Sequence, residues 1–228
     1  MAKHSKPQTG ECVYCGRLAP LEDDHIPPKN LFTGRAGLIT VPSCKCCNQG
    51  ACKDDEYFRL AIGFHADVAN HPEAGPIVAK IKRSLFRPEA SGFMQDFLAR
   101  TTVSEKKTPA GIYFLRTTTD VDEERVGRVA ERITKGLFWH HRGQRLPDGY
   151  VVHTASREAI RHTSGPRGAM MVRSVKELAG EPPYGVRNGQ VFHYRFKFWD
   201  SDDPNVSAWV LVFFRRFIFL TAIAPQKV

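Results

Sequence analysis

Two Cys-x-x-Cys pairs, Cys12 with Cys15 and Cys44 with Cys47, constrain this 228-residue chain more than any other feature. In each pair, two thiolates from one turn can reach the same tetrahedral zinc ion, and the two pairs together complete a closed four-thiolate site. A closed site leaves no coordination position for substrate, so the expected zinc holds loops together and the chemistry belongs to what it clamps. Cys46 and Cys52 are left over. Cys46 could exchange with Cys44 or Cys47, but the spacing of Cys44 and Cys47 repeats that of the first pair, whereas adjacent Cys46 and Cys47 would need diverging side chains. The polar N-terminal segment carries no apolar run of the signal-peptide kind, which leads us to expect reduced thiols in a cytoplasmic protein.

Between the pairs stands Asp24-His25-Ile26-Pro27-Pro28, and directly after the second pair come Asn48 and, further on, Lys53. The pattern Asp24-His25-Ile26-x-Pro28 followed by Cys44-x-x-Cys47-Asn48 and Lys53 resembles the HNH (ββα-metal) endonuclease family, over about the first quarter of the chain. The resemblance implies a β-hairpin and following helix around one divalent ion, with His25 as general base and Asp24 and Asn48 as metal ligands. An imidazole titrating near neutrality can take a proton from water. A carboxylate and an amide oxygen are hard donors, so magnesium or manganese is the expected ion at a scissile phosphate. Asp23 is the competing acid, and Asp24 ranks above it because the family places the acid immediately before the histidine. The family's middle asparagine is missing from Arg35 to Thr40, where Asn30 or a backbone group would have to substitute.

The rest of the chain shows periodicity without a reaction motif. Lys53 to Arg59 opens a helix whose acids Asp54, Asp55 and Glu56 suit its N-terminal dipole. Further helices are expected over Ile77 to Phe86, over Phe93 to Leu98, and from Asp120 to Arg142, where His140 and His141 read as helix-end residues. Ile112 to Arg116 and Tyr150 to His153 read as strands. Val191 to Trp199 alternates aromatic and basic residues, predicting one core face and one wet, basic face. Apolar runs at 208–214 and 217–223 flank Arg215-Arg216, predicting an antiparallel hairpin with the arginines at its turn. Those arginines also make the stretch too short for a membrane span. The expected fold class is α+β: a ββα-metal module over 1–71 and an α+β domain over 72–228 ending in an antiparallel sheet.

A formal net charge of +9 attracts polyanions. With the motif, it makes nucleic acid the expected partner, DNA ahead of RNA, with Lys53, Arg195 and Lys197 as candidate contacts. Arg125, Arg128 and Arg132 share a helical face, and Arg157, Arg161, Arg167 and Arg173 recur beyond it; such residues would position a duplex without reading its sequence. Two readings follow. One is an endonuclease making single-metal phosphodiester cuts, on one strand or, through a homodimer, on both. The other is a zinc-stabilised nucleic-acid-binding module with an inactive centre.

Overall fold

Helix α5 (Glu123–Arg142) is the element the other parts pack against, and its ends are set by local chemistry. The Asp122 side chain accepts the backbone N–H of Arg125, Glu123 and Glu124 fill the positive first turn, and Gly143, at φ 68°, closes the helix in a left-handed conformation. Its apolar stripe, Val126, Val129, Ile133, Leu137 and Phe138, is fully buried. The computed structural model describes residues 8–32, 37–65, 68, 71–85, 87, 91–162, 165–186, 190–200 and 202–226.

The fold is α+β with antiparallel sheets, as the alternating periodicities predict. Strands β1 (Thr9–Glu11), β2 (Leu18–Ile26) and β3 (Ile39–Cys44) form a three-stranded sheet in that order. A 3-10 turn at Lys29–Leu31 follows β2, and α1 (Lys45–Gly50) and α2 (Cys52–Gly63) follow β3. Next come α3 (Ala74–Leu85), α4 (Ser91–Ala99) and a two-stranded ribbon of β4 (Thr101–Lys107) and β5 (Tyr113–Thr119). After α5 the chain builds a five-stranded sheet from β6 (Tyr150–Ser156), β7 (Tyr184–Val186), β8 (Phe192–Trp199), β9 (Asp203–Phe213) and β10 (Phe217–Pro225), in the order β6-β10-β9-β8-β7. Helices α6 (Arg157–His162) and α7 (Gly165–Leu178) lie between β6 and β7 in sequence.

Strand β9 shows why its sequence is apolar without alternation. Trp209, Leu211 and Phe213 join the main core with α5, while Ala208 and the partly buried Val210 join a second cluster with Met171 and Leu178 of α7. Both faces of the sheet are covered, so both must be apolar. The arginines do sit at the β9–β10 turn, where Phe214 and Arg215 adopt positive φ of 48° and 58°. The expected wet face of β8 is instead met by α7. Arg195 donates to the carbonyls of Ala179 and Glu181 just past the end of that helix, at 2.9 and 2.5 Å, and Lys197 lies 3.8 Å from Glu177. Those carbonyls lack intrahelical partners, and a cation there is favourable.

The main core runs across the 71/72 division proposed from sequence. Phe58 of α2 packs against Phe213 and Phe219, with ring centroids 5.2 and 5.7 Å away. Ile26 of β2 presses so closely on α5 that a Cβ at Gly136 would stand 2.6 Å from its side chain. His141, expected only to end α5, turns inward. Its Nε2 lies 3.0 Å from the Tyr194 hydroxyl, and its ring centroid is 4.1 Å from that of Phe196.

Burial, with His140 and Arg142 beside it, pushes His141 down to about 4. An unfolded histidine titrates near 6.5, so His141 stabilises the fold above that value and the contribution is lost as pH falls through about 4. We expect the melting temperature to drop across this window, and to drop less steeply in His141→Phe; thermal melts of both proteins across a pH series check this.

Candidate metal centre and the motif around it

The first cysteine pair sits on a tight turn. The Gly16 N–H donates to the Cys12 carbonyl at 2.9 Å, and the Cys12 N–H donates to that of Arg17 at 3.0 Å. Gly16 has φ 70°, a conformation that side chains other than glycine's resist. The second pair spans the junction of β3 and α1, with Cys44 at the N-cap and Cys47 in the first turn. A hydrogen bond of 3.1 Å from the Val13 N–H to the Pro42 carbonyl ties the two turns together.

All four sulfur atoms lie within 4.8 Å of one another, and among the described residues this is the one group of three or more His, Cys, Asp or Glu so gathered. Cys46 is exposed and outside it. The Cys15 and Cys44 sulfurs are 3.8 Å apart. A tetrahedron of sulfurs at about 2.3 Å from zinc has an edge of about 3.8 Å, so the donor set and its spacing fit zinc. The backbone and then the guanidinium of Arg17 draw the Cys15 thiol down to about 6. Burial works against ionisation of Cys12, but backbone amides at Cys44, Cys15 and Tyr14 outweigh it and lower its pKa. Burial, then its sulfur neighbours, raises that of Cys47. A divalent cation bound by the four sulfurs would resolve this frustration, since binding drives off the remaining thiol protons.

The motif residues fall on two faces of β2. Glu22, Asp24 and Ile26 share the face toward the helices by the two-residue period of a strand, while Asp23 and His25 share the other. Asn48, one residue after the cluster, donates to Glu22 Oε2 at 3.0 Å. Asp24 is buried and held: the Tyr14 hydroxyl donates to Oδ2 at 2.7 Å, and Arg132 approaches at 3.3 and 3.4 Å. Burial and the Asp24 charge raise the Tyr14 pKa, keeping it a donor. His25 is half-buried and pairs in register with Thr40 on the outward face. Asn30 donates to the Asp55 carbonyl at 3.0 Å, anchoring the turn after His25 to α2. Arg35 and Ala36, which open the stretch without the middle asparagine, lie outside the described residues.

Several cations expected at a phosphate backbone are engaged within the fold. Asp54 accepts Arg125 at 2.9 Å and Arg128 at 2.8 Å, and Asp55 accepts Arg132 at 3.0 Å. Burial tends to raise Asp54, yet Arg128 and Arg125 hold its carboxyl below the ordinary range. For Asp55 burial prevails over Arg132 and lifts it to about 6. Arg173 pairs with Glu177 at 2.9 Å. Lys53 and Arg157 are exposed, and the side chains of Arg161 and Arg167 lie outside the described residues. Sequence reasoning missed Glu22, Tyr14 and Arg132 as parts of this region. Glu22 was findable, standing two residues before Asp24 on one strand face. Arg132 was not, because 108 residues separate it from Asp24. Among the described residues, no helix is long and apolar enough to cross a membrane.

Comparison with known protein families, with curated proteins and with solved structures finds no match.

Cys44→Ser is expected to lower bound zinc from one per chain to well below that and to reduce the melting temperature, read by elemental analysis and thermal denaturation. Arg132→Ala strands the buried carboxylates of Asp24 and Asp55, and about 3–5 kcal/mol of stability should be lost in urea titrations.

Proposed function

We propose that this chain is a metal-dependent, HNH-like endonuclease that hydrolyses phosphodiester bonds in nucleic acid, with DNA as the favoured substrate. The observation that carries the reading is the contact between Asn48 and Glu22, 3.0 Å apart. The four-cysteine cluster binds the start of α1 to the hairpin, and in doing so sets an amide and a carboxylate from distant positions side by side. The Glu22 carboxylate and the Asn48 amide oxygen, whose amide nitrogen makes the contact, are hard donors, a set that suits magnesium or manganese. In this reading Asn48 and Asp24 hold the ion, with Glu22 as a second carboxylate on the same strand face. Bound there, the ion would neutralise charge on the phosphate and stabilise the departing sugar oxygen.

His25 accepts the proton of the attacking water, and its imidazole is suited to that at neutral pH. Asn30, tied to the Asp55 carbonyl, takes the loop-fixing role of the absent middle asparagine. The engagement of Asp24 by Tyr14 and Arg132 favours the second reading, a zinc-stabilised nucleic-acid-binding module with an inactive centre.

Plasmid cleavage separates the two. Wild type with magnesium or manganese should nick, His25→Ala should lose at least about 100-fold of that rate, as removal of a general base does, and both should retain one zinc per chain. A folded, zinc-loaded wild type that cuts neither DNA nor RNA overturns the nuclease reading in favour of the binding module.

A further inference from the structure

The β4–β5 ribbon pairs with no other described strand. Of the eleven large hydrophobic residues exposed among the described residues, five belong to it or its turn: Val103, Ile112, Tyr113, Phe114 and Leu115. Tyr113 is 61% and Leu115 74% exposed. A lone two-stranded ribbon is marginal in water, and an apolar surface of this kind marks a contact.

The register shows what kind of contact. Lys107 stands opposite Tyr113, and Lys106 opposite Phe114. Successive positions point to opposite faces, so each face of the ribbon's outer end carries one cation directly beside one aromatic ring. Lys107 Nζ lies 5.1 Å from the Tyr113 ring centroid. Both lysines are exposed, with Glu105 the one acid in the two strands, in a chain of net charge +9. Doubling the pair on both faces suits a cleft with two charged walls better than a flat partner. The lysines can meet phosphates on either side, while the rings meet sugars and base edges.

We propose that the β4–β5 ribbon is a docking arm for duplex DNA, entering the major groove. Seven residues in a strand extend for about 24 Å, and the B-form major groove admits a two-stranded ribbon. The major groove of A-form RNA is too deep and narrow for it, so the arm selects DNA. This inference rests on the nucleic-acid reading above but not on catalysis.

The test is fluorescence anisotropy with a 30-base-pair DNA duplex, and with RNA of the same sequence, without added magnesium or manganese. Wild type should bind DNA more tightly than RNA. Lys106→Ala/Lys107→Ala should weaken DNA binding by about tenfold and reduce the slope of log affinity against log salt by about 2. Tyr113→Ser/Phe114→Ser should weaken binding while leaving that slope unchanged, and all variants should retain zinc. Unchanged DNA affinity in both variants overturns the arm, even if cleavage persists. Sedimentation identifies the opposing case: a wild-type dimer that Tyr113→Ser/Phe114→Ser makes monomeric, with DNA affinity intact, assigns the ribbon to a second copy of the chain and also overturns the proposal. Binding through the ribbon without cleavage leaves the arm standing and removes only the nuclease. A wild type that neither binds nor cuts overturns both.

Discussion

Arg132 holds three separate parts of this molecule in one arrangement. Its guanidinium reaches Asp24 on β2 and Asp55 on α2 from its place on α5. All three side chains are largely removed from water, so their mutual attraction offsets a large desolvation penalty and adds little net stability. Geometry is what they contribute. A carboxylate buried without its cation is costly, so arrangements of the hairpin on α5 that separate Asp24 from Arg132 are strongly disfavoured. Burial raises Asp55 even with Arg132 against it, in keeping with the removal of this junction from water.

Around that junction, two further constraints divide the work. The four-cysteine cluster joins the Cys12–Cys15 turn to the start of α1, beside a three-stranded sheet that could bury little by itself. Small units of this kind depend on a metal or a larger neighbour. Here a four-thiol donor set that fits a metal accompanies a larger neighbour: Ile26 seats against Gly136 of α5, and Phe58 of α2 meets Phe213 and Phe219 of the large sheet. The hairpin bearing His25 and the helix bearing Asn48 are therefore braced from one side by the cysteine cluster and from the other by the core.

The basic residues separate into two classes that sequence alone could not tell apart. Arg125 and Arg128 neutralise Asp54, and Arg195 terminates the helix that covers β8. Their charges serve the interior and its seams. Lys106 and Lys107, by contrast, stand exposed on the β4–β5 ribbon. A regular spacing of arginines on a helix indicates a common face but not what lies opposite it, and here the opposite groups arrive from more than seventy residues away.

What the sequence determined by itself was local. The cysteine spacing selected Cys12, Cys15, Cys44 and Cys47 as one donor set, because two residues between ligands suit a single turn. The acidic start after Asp120 and the basic end at Arg142 marked α5, since charge at a helix end acts within one helical turn. The apolar runs around Arg215-Arg216 marked a hairpin, because its strands are neighbours in the chain. Tertiary structure decided the rest: that Asp24 faces Tyr14 and Arg132, that Glu22 meets Asn48, that His141 turns inward, and that α7 covers the basic face of β8. Each of these joins groups distant along the chain. Their partners are chosen by the packing of whole helices and sheets, which no local pattern encodes.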